Sequence, residues 1–175
     1  MRFNLAPRAA VMLALGFYIT FKQGRGITWA IGILVWLGIG LAAAVLGPLL
    51  SKRARVSYSK SWLGWIPEFV LAIGIATAAS MNPFGNESGG YNYFMALVTI
   101  FGFCHAAICA VQAFLARGNR QDRTDAITSG VLSLALGVLY ATAPLGAIPA
   151  VGFLGAYLVI MGVNLGISAA TVRKG

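Results

Sequence analysis

The sequence predicts an all-α polytopic membrane protein with six transmembrane helices, arranged as three parallel two-helix repeats. Three observations predict this fold. The chain is 59% hydrophobic and only 10% charged, whereas about 25% of the residues in a soluble domain are charged. Six apolar segments approach or exceed the roughly 18 residues that cross a bilayer as a helix. A short glycine motif also recurs along the chain, which indicates repeated units.

The six helices are expected wherever long apolar runs occur. The first run has two readings, because Arg2 and Arg8 before a short apolar core also suit a signal peptide. No small-residue cleavage site follows it at Lys22 and Gln23. A retained helix is therefore expected, with Arg8 extending to the lipid headgroups. The predicted segments are residues 5–21, 27–50, 62–80, 93–115, 127–143 and 147–171.

The net charge of +9 is distributed as a topology signal. If both termini are cytoplasmic, eleven basic residues lie inside and only Lys22 and Arg25 lie outside. This asymmetry is the positive-inside pattern, so both termini are predicted to be cytoplasmic. The expected partner of the basic clusters is the lipid bilayer rather than nucleic acid. The eleven inner residues are Arg2, Arg8, Lys52, Arg53, Arg55, Lys60, Arg117, Arg120, Arg123, Arg173 and Lys174.

The recurring motif is LALG at residues 13–16, LAIG at 71–74 and LALG again at 134–137. Each copy lies in an odd-numbered helix, and the even-numbered helices carry small residues four apart. Small residues at this spacing let helix backbones approach closely in lipid. Shared ancestry predicts repeats of about 1–56, 57–121 and 122–175 within one membrane domain, 1–175; independent selection for packing is the alternative. The predicted packing glycines are Gly16, Gly74, Gly102, Gly137, Gly155, Gly162 and Gly166.

The third unit contains ITSGVLSLALGVLYATAP and GAYLVIMGVNLGISAA, and the second contains VLAIGIATAASMNP. These stretches resemble the HdeD-like family of acid-resistance membrane proteins. The family has a mid-helix glycine followed by a proline, as in Gly137 with Pro144. The first unit departs from this pattern, with residues 22–24 in place of the proline. The resemblance implies a six-helix protein of the bacterial inner membrane that is linked to acid stress.

Four polar residues are expected to form an intramembrane cluster: Glu68, His105, Gln112 and Asn164. Glu68 is the only acid inside an apolar span, so it could accept a proton. The alternative is an interfacial acid paired with Arg55 or Lys60. His105, the only histidine, could sense pH, or it could be a neutral residue that bridges helices.

Neither an enzyme nor a metal protein is predicted. The sequence contains no HExxH motif, no nucleophile elbow and no phosphate-binding glycine loop. His105 and Cys109 share a helix face but lack the further ligands of a zinc site, and Cys104 points elsewhere. No cofactor is expected.

The leading functional hypothesis is a non-enzymatic protein that supports survival of acid or envelope stress through membrane packing or partner binding. One alternative is a small transporter or proton conductor that uses Glu68 and His105. Another is an accessory subunit of a membrane complex. The expected binding partner is another membrane protein or a second copy of this chain.

Overall fold

The computed structural model describes residues 5–22, 26–47, 62–83, 87–116 and 118–172, and these residues form six helices without a strand. The prediction of an all-α protein is confirmed. The helices are α1 (Leu5–Phe21), α2 (Ile27–Leu46), α3 (Trp62–Ser80), α4 (Glu87–Leu115), α5 (Arg120–Thr142) and α6 (Ala147–Val172).

Four of these helices, α2, α4, α5 and α6, are long and apolar enough to cross a membrane. The apolar stretches of α1 (Leu5–Phe21) and α3 (Trp65–Ser80) are shorter. With so much apolar helix surface exposed on the bundle, the chain is a membrane protein, because water would solvate such a surface poorly.

Two helices begin earlier than their hydropathy predicts. α5 starts at Arg120 rather than at residue 127, because the side chain of Asn119 caps it and accepts from the backbone nitrogens of Gln121 and Asp122. Such a cap satisfies the free N–H groups of a first turn, so polar residues can be helical there. α4 starts at residue 87 rather than 93. Hydropathy locates the apolar part of a helix, and for α5 the Asn119 cap decides where the helix begins.

The six helices form a closed ring. The closest packing joins α2 with α3, α4 with α5, and α6 with α1. Looser contacts join α1 with α2, α3 with α4, and α5 with α6. Each helix therefore packs tightly against one neighbour in the ring and loosely against the other, and α2 also contacts α4 across the ring. The interior is filled by fully buried large side chains, among them Met12, Leu34, Phe94, Phe101 and Met161.

Glycines allow the close approach in all three tight pairs. A Cβ on Gly102 of α4 would lie 2.7 Å from the backbone nitrogen of Gly137 in α5. A Cβ on Gly16 of α1 would lie 2.8 Å from the backbone nitrogen of Val159 in α6. Both distances are far shorter than carbon–nitrogen contacts allow, so only glycine fits at these positions.

The α1–α6 pair has further contacts of this kind. A Cβ on Gly155 would lie 2.7 Å from Ile19 Cγ2, and one on Gly162 would lie 2.7 Å from Leu13 Cγ. Gly166 is less tightly packed, since its Cβ would lie 3.9 Å from the Cβ of Ala9.

The expected packing role is wrong for Gly74. A Cβ on Gly74 would meet no atom within 4 Å, although its motif matches those of Gly16 and Gly137. α3 instead packs on α2 through Ala72 and Ala76, which contact Gly38. The face of α3 that packs on α2 is therefore not the one that holds its LAIG glycine.

We predict that Gly102→Ala lowers the free energy of unfolding by about 1–3 kcal/mol, because the added methyl group overpacks α4 against the backbone of α5. Gly74→Ala is the matched control; it adds the same group in open space and should be neutral or stabilising. Unfolding in bicelles measures both. Equal losses in the two variants would contradict the packing described for α4 and α5.

Candidate functional site

A buried ion pair lies inside the ring. Arg8 Nη1 of α1 is 2.7 Å from Glu68 Oε2 of α3, and the two side chains are only 9% and 6% exposed. The expectation that Arg8 extends to the headgroups is therefore wrong. Arg8 shares a helix face with Met12 and Gly16, which are buried too, so the rotation of α1 turns the guanidinium inward. The alternative partners Arg55 and Lys60 lie outside the described residues.

Both oxygens of the Glu68 carboxylate are bonded. Oε2 pairs with Arg8, and Oε1 accepts from Gln112 Nε2 of α4 at 2.7 Å. Gln112 lies on the same face of α4 as His105, seven residues earlier, and this face points into the bundle. Glu68 and Gln112 of the predicted cluster are thus in direct contact.

His105 is buried on the other side of the guanidinium. Its Nε2 lies 3.5 Å from Arg8 Nη2, and its Nδ1 lies 2.7 Å from Ser133 Oγ of α5. A guanidinium can only donate, so Nε2 must be the accepting nitrogen and Nδ1 must carry the hydrogen. We therefore assign the neutral Nδ1–H tautomer, which donates to Ser133. The ring also stacks on Phe101, with centroids 5.7 Å apart and planes 4° apart.

The network ends at Ser133. Ser133 Oγ donates to the backbone oxygen of Ser129 at 2.8 Å and lies 2.9 Å from the hydroxyl of Tyr157. Its single hydrogen is used on Ser129, so Tyr157 is the donor in that second bond. His105 and Tyr157 both donate into Ser133, and Ser133 donates into a carbonyl. The directions of all these hydrogen bonds are fixed by the groups themselves.

Asn164 is at the edge of this network. Its Nδ2 donates to Ser129 Oγ at 3.4 Å, a long hydrogen bond, and its side chain is half-buried. The structure thus brings together Glu68, His105 and Gln112 around Arg8. Asn164 is linked to them through Ser129, whose hydroxyl accepts from Asn164 and whose carbonyl accepts from Ser133.

Three members of the network were missed in the sequence: Arg8, Ser133 and Tyr157. Arg8 had a usable signal, because it lies four residues before Met12 and eight before Gly16 on one helix face. Ser133 also belongs to a small-residue ridge that includes Gly137. Nothing in the sequence singles out Tyr157 among six tyrosines.

A small cavity adjoins the charged groups. Its volume is about 10 Å³, close to the minimum that one water molecule needs. Arg8, Glu68 and His105 line one side. Among the described side chains, Arg8 Nε is the one buried nitrogen or oxygen without a hydrogen-bond partner. The remaining lining is apolar, from Leu41, Val45, Leu71, Ala72 and Phe101.

Metal ligands do not cluster in the described part of the chain, where no group of three His, Cys, Asp or Glu side chains occurs. Cys109 Sγ lies 3.9 Å from His105 Nε2, but the nitrogen faces the Arg8 guanidinium as well. A cation at this nitrogen would be repelled by Arg8.

Comparisons of the chain with protein-family models, curated proteins and solved structures found no match.

We predict that Arg8→Met destabilises the bundle by about 3–5 kcal/mol, because it leaves the Glu68 carboxylate buried without its counter-charge. The double variant Arg8→Met/Glu68→Met should recover most of this loss, since no unpaired charge remains. Unfolding of both variants and of Glu68→Met in bicelles completes the cycle. A double variant that loses the sum of both single effects would contradict a direct pair.

Proposed function

We propose that this chain is a non-enzymatic inner-membrane protein of the HdeD-like kind, which supports survival of acid or envelope stress by membrane packing or partner binding. The observation that carries the proposal is the closed polar network in the core. Its hydrogen bonds join α1, α3, α4, α5 and α6, and such bonds hold helices together in a membrane. The resemblance of the second and third units supports the link to stress.

The direction of the hydrogen bonds favours a structural role over conduction. A proton path needs groups that accept from one neighbour and donate to the next. At Ser133 the donors His105 and Tyr157 converge, and the onward bond ends on the Ser129 carbonyl. A backbone carbonyl has no hydrogen to pass on, so this branch does not continue.

We also propose that all six helices cross the membrane and that they form three parallel two-helix repeats. In every tight pair an even-numbered helix of one unit packs against the odd-numbered helix of the next unit. Gly38, Gly102 and Gly155 each contact the partner helix of their tight pair. α1 has 17 residues, the lower limit of a spanning helix. The uneven distribution of basic residues supports cytoplasmic termini.

A proton conductor or small transporter is the second candidate. Arg8, Glu68 and His105 lie together beside a cavity of about 10 Å³. An intramembrane acid and a histidine around such a space are typical of proton relays.

We expect deletion of the gene from its host to reduce survival at acid pH, and the wild-type gene to restore it. Arg8→Met should fail to restore survival because it breaks the core pair, whereas Gly74→Ala should restore it. Colony counts after acid exposure, with membrane abundance checked for each variant, measure the effect. Survival that is unchanged by the deletion would contradict the stress role.

We expect the purified protein to give no proton flux in liposomes at any pH, because the network is closed. Wild type and Glu68→Gln should therefore give the same background rate, measured with a pH-sensitive dye inside the vesicles. A flux that Glu68→Gln abolishes would establish the second candidate instead. Co-purification in mild detergent then separates a self-associating protein from an accessory subunit.

A further inference from the structure

We propose that Nε2 of His105 is a proton-binding site, and that a proton bound there releases the first turns of α1 from the bundle. This inference goes beyond the proposed stress role, because it depends only on the groups around His105. The proposed change is an acid-driven movement of α1, and it does not require a proton-conducting path.

The geometry selects one atom for the proton. Nδ1 of His105 already carries a hydrogen, which it donates to Ser133 Oγ at 2.7 Å. Nε2 has the remaining lone pair, and it lies 3.5 Å from Arg8 Nη2. A proton on Nε2 would replace this acceptor by a donor and would place an imidazolium against a guanidinium. Two like charges at this separation inside a bundle repel strongly.

The groups that face His105 come from each element packed against it. Among the described side chains, Glu68 of α3 is the only acid nearby, and its two oxygens are bonded to Arg8 and Gln112. On α4 itself, Cys109 offers a thiol 3.9 Å away. The neighbours from α5 and α6 are neutral hydroxyls of Ser133 and Tyr157. α2 contributes only the apolar Leu41 and Val45 to the adjoining cavity.

Arg8 is the member of the network that can leave. It lies three residues after the start of α1 at Leu5, whereas His105 is in the interior of α4. A long arginine side chain near a helix end can extend to the headgroups instead. The first turns of α1 therefore have two positions available, one inside the ring and one at the interface.

Acid shifts the balance towards release. With Arg8 inside, a proton on Nε2 is opposed by the guanidinium. With Arg8 outside, the imidazolium replaces the guanidinium as the counter-charge of Glu68, which would otherwise be buried unpaired. The state that binds more protons gains population as the pH falls. A lower pH therefore increases the fraction of molecules in which α1 is released.

The first measurement uses the unmodified chain in lipid bilayers, with ring nitrogens of histidine labelled by ¹⁵N. His105 is the only histidine in the sequence, so the spectrum reports one ring. At pH 7.5 we expect the neutral Nδ1–H tautomer, and at pH 5 a ring with both nitrogens protonated. The Nε2–H tautomer at pH 7.5, or a ring that stays neutral at pH 5, would overturn the proposal.

The second measurement follows α1. Spin labels at Ala6→Cys and Leu115→Cys, both exposed positions, are placed in a Cys104→Ser/Cys109→Ala background. Acidification from pH 7.5 to 5 should reversibly lengthen the distance between the labels by about one helical turn, roughly 5 Å. His105→Gln should abolish this change, because an amide does not titrate. Asp125→Asn is the matched control and should keep it.

Each result decides the proposal. A constant distance in the background protein, or the same lengthening in His105→Gln, would overturn it. If His105→Gln fails to fold, the ¹⁵N spectrum of the unmodified chain remains the deciding test. Acid survival is measured separately in the deletion strain. If α1 is released but the deletion leaves survival unchanged, the stress role is refuted and this inference still holds.

Discussion

The buried pair of Arg8 and Glu68 is the interaction on which the rest of the interior depends. Two charges leave water only if each is paired and hydrogen-bonded, because the desolvation penalty is several kcal/mol per ion. Arg8 therefore requires Glu68, Glu68 requires Gln112 for its second oxygen, and His105 must present its lone pair to the guanidinium. α1 and α3 are not adjacent in the ring, so this pair also links helices that share no packed face.

Small residues and charges have separate tasks in this bundle. Glycines such as Gly16, Gly102 and Gly137 let the tight pairs approach, which supplies van der Waals contact where lipid removes the usual hydrophobic force. The polar network then distinguishes one arrangement of those pairs from its neighbours, because a shift of register would leave a buried charge unpaired. Burial of polar groups thereby selects the arrangement that close packing stabilises.

The sequence predicted the helices and part of the polar cluster well. Glu68 and Gln112 could be paired in advance, since their depths follow from counting along each helix. For Arg8, the face that it shares with Met12 and Gly16 was a weak signal, because a cation in the first turns of an apolar helix is equally suited to headgroups. Only the packing of α1 against α6 decides its position. Gly74 and Gly16 have nearly the same local sequence and opposite surroundings. A local motif does not predict which face of its helix is packed, because the rotation of each helix is determined by its contacts with the rest of the ring.

The position of α1 against α6 turns Arg8 inward, and every contact of the polar network depends on it. A disulfide between Ala9→Cys and Gly166→Cys, in a background without Cys104 and Cys109, tests this position most directly. A Cβ at residue 166 lies 3.9 Å from that of Ala9, within the range that disulfides adopt. Oxidation in native membranes should give an intramolecular crosslink, and Ala10→Cys with Gly166→Cys should give none. No crosslink in the first pair, or equal crosslinking in both, would contradict the ring and its inward-facing arginine.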